Sequence, residues 1–226
     1  MGPPVRVSAQ QPRPSQQQLE GTQGAPARAS GLQWPVAVVS GAAVVALSAQ
    51  VAVPLPLSPV PLTLQGLAVL LVGGMLGATA GAGALVLYLT AGAFGAPVFA
   101  MGGAGLSRLL GPTGGYLLAF PLAAIVVARL AARGQLLRST LAAAMGMLLI
   151  HIGGLTQLTL VSGAAPRALA SGLIPFLLQD GLKVLLAGLI LWRGHHRLRG
   201  PGDGRRDLRA DRDHGVEPPH LVGGAD

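Results

Sequence analysis

Charged residues, aromatic residues and cysteine are all scarce or absent in this chain. Only 11% of its residues are charged and 4% are aromatic, whereas 51% are hydrophobic. A soluble domain carries roughly a quarter charged residues, so this composition is poorly suited to facing water on all sides. The absence of cysteine excludes disulfides and cysteine-ligated metal sites. The composition as a whole is typical of an integral membrane protein.

The few charges that remain are unevenly distributed. Asp180 is the only acidic residue between Glu20 and Asp203, and Lys183 is the only lysine. The net charge of +8 comes mainly from arginines in the two ends of the chain and between apolar segments. Because few aromatic residues accompany them, this pattern does not indicate a nucleic-acid-binding surface. The partner that it favours is the lipid bilayer.

The apolar segments predict an all-α membrane fold, a bundle of six transmembrane helices. A helix needs about 20 residues to cross a hydrocarbon core of about 30 Å. The run from 63 to 93 is too long for one crossing and barely long enough for two, and we interpret it as two short helices hinged near Gly77. The predicted spans are 35–53, the two halves of 63–93, 116–130, 136–161 and 173–192.

The sequence is predicted to divide into a membrane domain and two tails. Residues 1–33 form a basic tail without hydrophobic period, residues 34–193 a membrane domain, and residues 194–226 a charged tail rich in Gly and Pro. We expect both tails to be disordered. With six spans, thirteen arginines lie on the side of the tails, and only Arg108 and Arg167 lie on the other side. Arginine-rich ends face the cytoplasm, so we predict that both termini are cytoplasmic.

Asp180 and Lys183 are the leading candidates for a ligand site. They lie three residues apart and therefore share one face of the last predicted helix. A charge at membrane depth costs about 3 kcal/mol or more, so such residues usually face a polar cavity and have a function. The alternative is an ion pair that only neutralises itself, or a lysine that reaches the membrane surface.

Two short polar segments lie at the beginnings of predicted helices. In Gly-Pro-Thr-Gly-Gly-Tyr (111–116), Thr113 and Tyr116 are the polar side chains of a shaped loop. This segment lacks the Lys-Ser/Thr of a phosphate-binding loop, and the chain contains no such motif elsewhere. Thr63 and Gln65 begin the second span, either as helix-capping residues or as cavity-lining residues. Both interpretations stay open.

Small residues at four-residue spacing mark close helix packing. Gly73, Gly77 and Gly81 show this spacing, and internal packing is the favoured interpretation for them. Ala42 and Ala46 show it on the first helix, where we predict a face for a partner subunit, with internal packing as the alternative. His151, in the middle of the fifth span, is interpreted as a hydrogen-bonded packing residue rather than a catalytic or metal-binding one.

Four motifs in the same order resemble the BioY family, the biotin-specific S components of energy-coupling factor (ECF) transporters. The resemblance covers about residues 35–192, and the tails match nothing in the family. The Gly-Pro-Thr-Gly-Gly-Tyr string is its most specific part. Ala100-Met101 departs from the family, which often has a polar or aromatic residue there. The four motifs are the proline-rich segment 54–65, Tyr88 with 92–99, the segment 111–116, and the pair Asp180 and Lys183.

The resemblance implies a non-enzymatic subunit in the cell membrane of a prokaryote that binds biotin near the outer surface. It implies partners as well, namely a transmembrane coupling subunit and two cytoplasmic ATPases that use ATP, with no cofactor in this chain. It places Asp180 and Lys183 in the biotin site and Tyr116 and the turn at Gly102 and Gly103 close to it.

Two other functions compete with this prediction. An S component for another vitamin would share the fold but not these motifs. An intramembrane serine hydrolase would need a Gly-x-Ser-Gly helix start, whereas Val38-Val39-Ser40-Gly41 lacks the first glycine and Ser40 has no evident base.

Overall fold

The computed structural model describes residues 33–131 and 135–198, with side chains up to Gly194. The predicted tails therefore lie outside the described residues, except for Gln33 and 194–198, which are helical. The α-helices of the described residues are α1 (Gln33–Gln50), α2 (Gln65–Ala93), α3 (Leu106–Leu110), α4 (Gly114–Ala131), α5 (Leu136–Ser162), α6 (Ala165–Gly172) and α7 (Leu177–Leu198). Two short strands, β1 (Ala52–Val53) and β2 (Leu62–Thr63), pair antiparallel, and 3₁₀ turns form at Ala100–Gly102 and Ile174–Phe176.

Five helical segments of the described chain are long and apolar enough to cross a membrane. This confirms a helical membrane protein, but the count of six is not confirmed, because Gln65–Ala93 counts as one of the five segments although it is interrupted at Gly77. The five segments are Gln33–Gln50, Gln65–Ala93, Gly114–Ala131, Leu136–Ser162 and Ala165–Gly194.

The helix α2 folds back on itself at Gly77. The amide Nε2 of Gln65 donates to the hydroxyl of Tyr88 over 2.8 Å, although 23 residues separate them. In a straight helix these residues would be about 35 Å apart. Gly77 has φ 81° and ψ 173°, a conformation that only glycine adopts readily. The predicted hinge is therefore observed at Gly77, with the two halves of α2 packed side by side.

The inward face of α1 packs against α2 through small residues. A Cβ on Gly41 would lie 2.8 Å from the Cβ of Ala84, so the two helices approach closely there. Ala42 is only 8% exposed, and Ala46 is half-buried against the same core. Neither alanine lies on the outer face of α1, so the geometry does not support their predicted role in facing a partner. Their spacing serves internal packing, the alternative interpretation.

The α1–α2, α2–α4 and α5–α7 connections lie at one end of the bundle, and the observed elements differ from prediction in several places. The α1–α2 connection contains the β1–β2 pair, which the all-α prediction did not include. The segment 95–115, which lies between two predicted spans, contains α3, and α6 precedes the last long helix. The last helix continues to Leu198, beyond the predicted boundary at 193. Apolar side chains that pack around these loops build the wall of a cavity.

We predict that Gly77→Ala destabilises the protein, because alanine is strained at this φ and ψ. The expected loss in free energy of unfolding is about 1–3 kcal/mol. The matched control is Gly194→Ala, since Gly194 is helical and a Cβ there meets no atom within 4 Å. Thermal unfolding in detergent measures the stability of both variants. Equal stability would show that the turn of α2 at Gly77 tolerates a side chain.

Candidate functional site

A cavity lies at the end of the bundle where α1 and α5 finish and where α2, α4 and α7 begin. Its polar side chains come mostly from the helices, and apolar residues of the loops close its walls. Asp180, Lys183, Tyr116, Thr113 and Gln65, which the sequence predicted as ligand-binding, all line this cavity. The fold thus brings together residues from three distant parts of the chain.

Asp180 and Lys183 form an ion pair on the cavity-facing side of α7. The Lys183 ammonium lies 2.7 Å from Oδ1 of Asp180, and the two residues are 6% and 7% exposed, respectively. An ion pair this deep requires further hydrogen bonds to offset the loss of hydration. The second oxygen, Oδ2, lies 3.3 Å from Nε2 of His151 on α5. Asp180 therefore has a cation-forming group on each side.

Tyr116 lies between α5 and α6 and is held from two directions. Its ring sits where a side chain on Gly154 would otherwise be, and its hydroxyl donates to the carbonyl of Gly172 over 2.8 Å. The same ring meets that of His151 edge-to-face, with centroids 6.1 Å apart. The predicted Gly-Pro-Thr-Gly-Gly-Tyr segment thus fixes an aromatic wall of the cavity.

Gln65 is a cavity residue whose amide group is partly engaged. Its Nε2 donates to Tyr88, and the Tyr88 hydroxyl donates to the carbonyl of Val98 over 3.2 Å. The carbonyl oxygen Oε1 of Gln65 is the atom left to accept from a ligand. Gln65 and Thr63 both line the cavity, and no side-chain hydrogen bond caps the beginning of α2, so the structure favours the cavity-lining interpretation while ligand contact stays a prediction.

The turn at Gly102 and Gly103 does not itself line the cavity. Phe99 and Ala100, directly before it, do. The turn is tight, with Met101 and Gly102 both at positive φ, and Gly102 donates its N–H to Oε1 of Gln50. These glycines therefore lie beside the cavity and shape its wall, and their predicted contact with the ligand stays a prediction.

Arg108 and His151 line the cavity although the sequence analysis did not assign them to it. A Cβ on Gly103 would lie 2.7 Å from Nε of Arg108, so this glycine leaves room for the guanidinium. Among the described residues, no carboxylate lies within 4 Å of that guanidinium. The position of Arg108 among the few arginines away from the tails was the available signal. His151 gave none, since a single histidine in a span is usually a packing residue.

The loop between β1 and β2 covers the cavity. Val60 and Pro61 contribute apolar surface to it. The hydroxyl of Ser58 donates to the carbonyl of Ser171 on α6 over 2.6 Å and accepts from the N–H of Val60. Gln179 on α7 donates to the carbonyl of Thr63. Side-chain hydrogen bonds thus hold this proline-rich loop against α6 and α7.

The arrangement is suited to binding rather than to metal chemistry. Among the described residues, no cluster of three or more His, Asp or Glu side chains is placed to hold a metal ion. The cavity combines an aspartate, a lysine, an arginine and an amide with aromatic and aliphatic walls. Such a site fits a small ligand that has both hydrogen-bonding groups and apolar surface.

Comparison with known proteins identifies the family. The BioY family model matches residues 22–200. The chain belongs to the BioY family. A probable biotin transporter BioY of Pyrococcus horikoshii is 37% identical over 151 residues, which are 67% of this chain and 89% of that protein. The biotin transporter BioY of Thermotoga maritima is 38% identical over 140 residues, 62% of this chain and 83% of that protein.

A solved structure confirms the fold of this BioY family member. The crystal structure of the S component for biotin from an ECF-type ABC transporter matches with a TM-score of 0.67. The match covers 75% of this chain and 93% of that one at 22% identity. The family model and the relatives confirm the predicted BioY resemblance, and the solved structure shows that the two chains share a fold.

We predict that Lys183→Met destabilises the ligand-free protein by about 1–3 kcal/mol, because it leaves the buried Asp180 without its closest cation. Adding Asp180→Asn should restore part of that loss, since the uncompensated charge disappears. Thermal unfolding in detergent measures the series, with Arg193→Met on an exposed position as control. A double variant less stable than Lys183→Met would contradict a stabilising ion pair.

Proposed function

We propose that this chain is the membrane subunit that captures biotin from outside the cell and delivers it across the membrane. The observation that carries the proposal is the Asp180–Lys183 pair inside a cavity of a BioY-family fold. Proteins named as biotin transporters match most of their own length to this chain. The function is transport, so we propose no reaction for the site.

The polar groups of the cavity complement those of biotin. The ureido ring of biotin carries two N–H donors and one carbonyl acceptor. Asp180 and the free Oε1 of Gln65 are acceptors, and Lys183 is a donor. We assign the ureido ring to this part of the cavity, because it is the part where acceptors and a donor occur together.

Arg108 complements the other end of the ligand. Biotin ends in a carboxylate on a flexible apolar chain, and arginine binds carboxylates through two parallel hydrogen bonds. Arg108 has no carboxylate partner among the residues described. Phe99, Phe120 and Phe176 line the cavity and offer apolar surface to the rings and the chain.

Energy for transport is expected to come from partner subunits. The sequence contains no phosphate-binding loop, so this chain does not hydrolyse ATP in the manner of a P-loop ATPase. We propose that it assembles with a transmembrane coupling subunit and two cytoplasmic ATPases. The hydrolase alternative has no support from the geometry, because Ser40 lies on the exposed face of α1 and does not line the cavity.

We propose six membrane crossings, with the two halves of α2 counted separately. The contact between Gln65 and Tyr88 places the beginning and the end of α2 at the same end of the bundle. The amide of Gln50 at the end of α1 contacts Val98 and Phe99 at that end too. With the reversal at Gly77, both termini of the bundle lie at the opposite, arginine-rich end, which we assign to the cytoplasm.

Reporter fusions test this topology. We expect fusions at Arg133 and Arg167 to report opposite sides of the membrane, with Arg133 in the cytoplasm, because α5 crosses between them. A fusion after Asp226 should agree with Arg133. Reports from the same side at Arg133 and Arg167 would reject the six-crossing arrangement.

Calorimetric titration of biotin into the purified protein tests the site. Asp180→Asn, Lys183→Ala and Arg108→Gln should each weaken binding roughly tenfold to a hundredfold, since a hydrogen bond to a charged group contributes about 1.5–3 kcal/mol. Arg167→Gln is the matched control, because Arg167 is exposed and does not line the cavity.

A panel of other vitamins titrated into the same wild-type protein separates this function from its closest alternative. Binding of another vitamin in preference to biotin would indicate that the chain is an S component with a different specificity. Biotin binding by the Asp180→Asn/Lys183→Met double variant at wild-type strength would remove the pair from the site.

A further inference from the structure

His151 is held in one orientation by its neighbours. Its Nδ1 lies 3.1 Å from the backbone carbonyl of Met147, one turn earlier on α5. A carbonyl oxygen only accepts, so this contact requires a proton on Nδ1. The ring packs edge-to-face against Tyr116, whose own hydroxyl is fixed by Gly172. These contacts leave the imidazole little freedom to turn.

The other ring nitrogen, Nε2, points at Asp180. It lies 3.3 Å from Oδ2 of Asp180 and is fully buried, and it makes no well-aligned hydrogen bond with any described residue, Asp180 included. The groups around it are Asp180 and Lys183 on α7 and Tyr116 on α4. Because Nδ1 already carries a proton, Nε2 can donate to the carboxylate only when the ring is doubly protonated, as an imidazolium.

Asp180 needs a contact on its second oxygen if it is to present a defined face. Lys183 binds Oδ1 but, being three residues away on the same helix, cannot alone set the rotation of the carboxylate about its Cβ–Cγ bond. His151 approaches Oδ2 from a different helix. A group fixed from two elements holds its geometry better than one fixed from a single flexible lysine.

We propose that His151 is a positioning residue of the ligand site, which orients the Asp180 carboxylate so that it accepts from the ureido N–H groups. This inference rests on the proposed binding of biotin and adds a residue to that site. It also gives His151 a role that internal packing does not explain. The ligand contacts Asp180, and His151 acts through it.

Two matched substitutions separate the functions of the two ring nitrogens. The amide of glutamine reaches about as far as Nε2, so His151→Gln keeps a donor for Asp180. The amide of asparagine ends near the position of Nδ1, so His151→Asn keeps a donor for Met147 but none for Asp180. Biotin affinity is measured by calorimetry on the full chain in detergent.

We expect His151→Asn to weaken biotin binding roughly tenfold, as the loss of one hydrogen bond to a charged group does, and His151→Gln to stay within about threefold of wild type. His151→Met, which fills a similar volume without a donor, should behave like His151→Asn. The reverse order, with asparagine preserving affinity and glutamine losing it, would show that the contact with Met147 matters instead and would overturn the proposal.

A double-mutant cycle with Asp180→Asn tests whether His151 acts through Asp180. In that background, His151→Asn should cost less than about twofold in affinity, because the carboxylate that it positions is gone. Equal losses in both backgrounds would indicate direct ligand contact or general packing and would overturn the proposal. Wild-type protein that binds no biotin would refute the proposed function, whereas wild-type affinity in His151→Asn and His151→Met would refute only the role of His151.

Discussion

The cost of placing charge in an apolar bundle governs this structure. Asp180 is the one acidic residue of the membrane domain, and it is 7% exposed at the wall of the cavity. A lone carboxylate there would be prohibitive, and a single counter-ion leaves one oxygen without a cation. Lys183 and His151 approach the two oxygens separately. The charged group is thereby kept available at the wall of a cavity, where a ligand with N–H donors can complete its hydrogen bonding.

The cavity also requires that segments distant in sequence come together. The helix α2 contributes to this by reversing its direction at Gly77. Without the turn at Gly77, Gln65 and Tyr88 would lie at opposite ends of a 29-residue helix. With it, Gln65 reaches the cavity while Tyr88 supports the wall formed by Phe99, whose ring packs edge-on against it at 5.5 Å. One residue with a backbone conformation reserved for glycine therefore places both a ligand-facing amide and the loop beside it.

The sequence predicted the features that depend on rarity and on local backbone chemistry. Asp180 and Lys183 stand out because charge is so scarce in the spans, and Gly77 because a 29-residue apolar run has to turn. The direction in which a side chain faces depends on neighbours distant in sequence. Ala42 is buried in the core because α1 approaches α2 closely at the neighbouring Gly41, and Arg108 lies in space that Gly103 leaves free. His151 is distinguished from a packing histidine only by a carboxylate 29 residues away, which no local pattern reveals.

The cavity divides its two tasks between elements of different kinds. The polar groups that discriminate between ligands lie on or beside the long helices, where backbone hydrogen bonds on both sides hold their positions. Loops supply the apolar cover, through Val60, Pro61 and Phe99. Hydrogen bonds lose strength steeply with misalignment, whereas apolar contact is non-directional and tolerates small displacements. In the proposed biotin site, the directional contacts would therefore come from Asp180, Lys183 and Gln65 on the long helices and from Arg108 on α3, and the loops would add contacts that depend less on alignment.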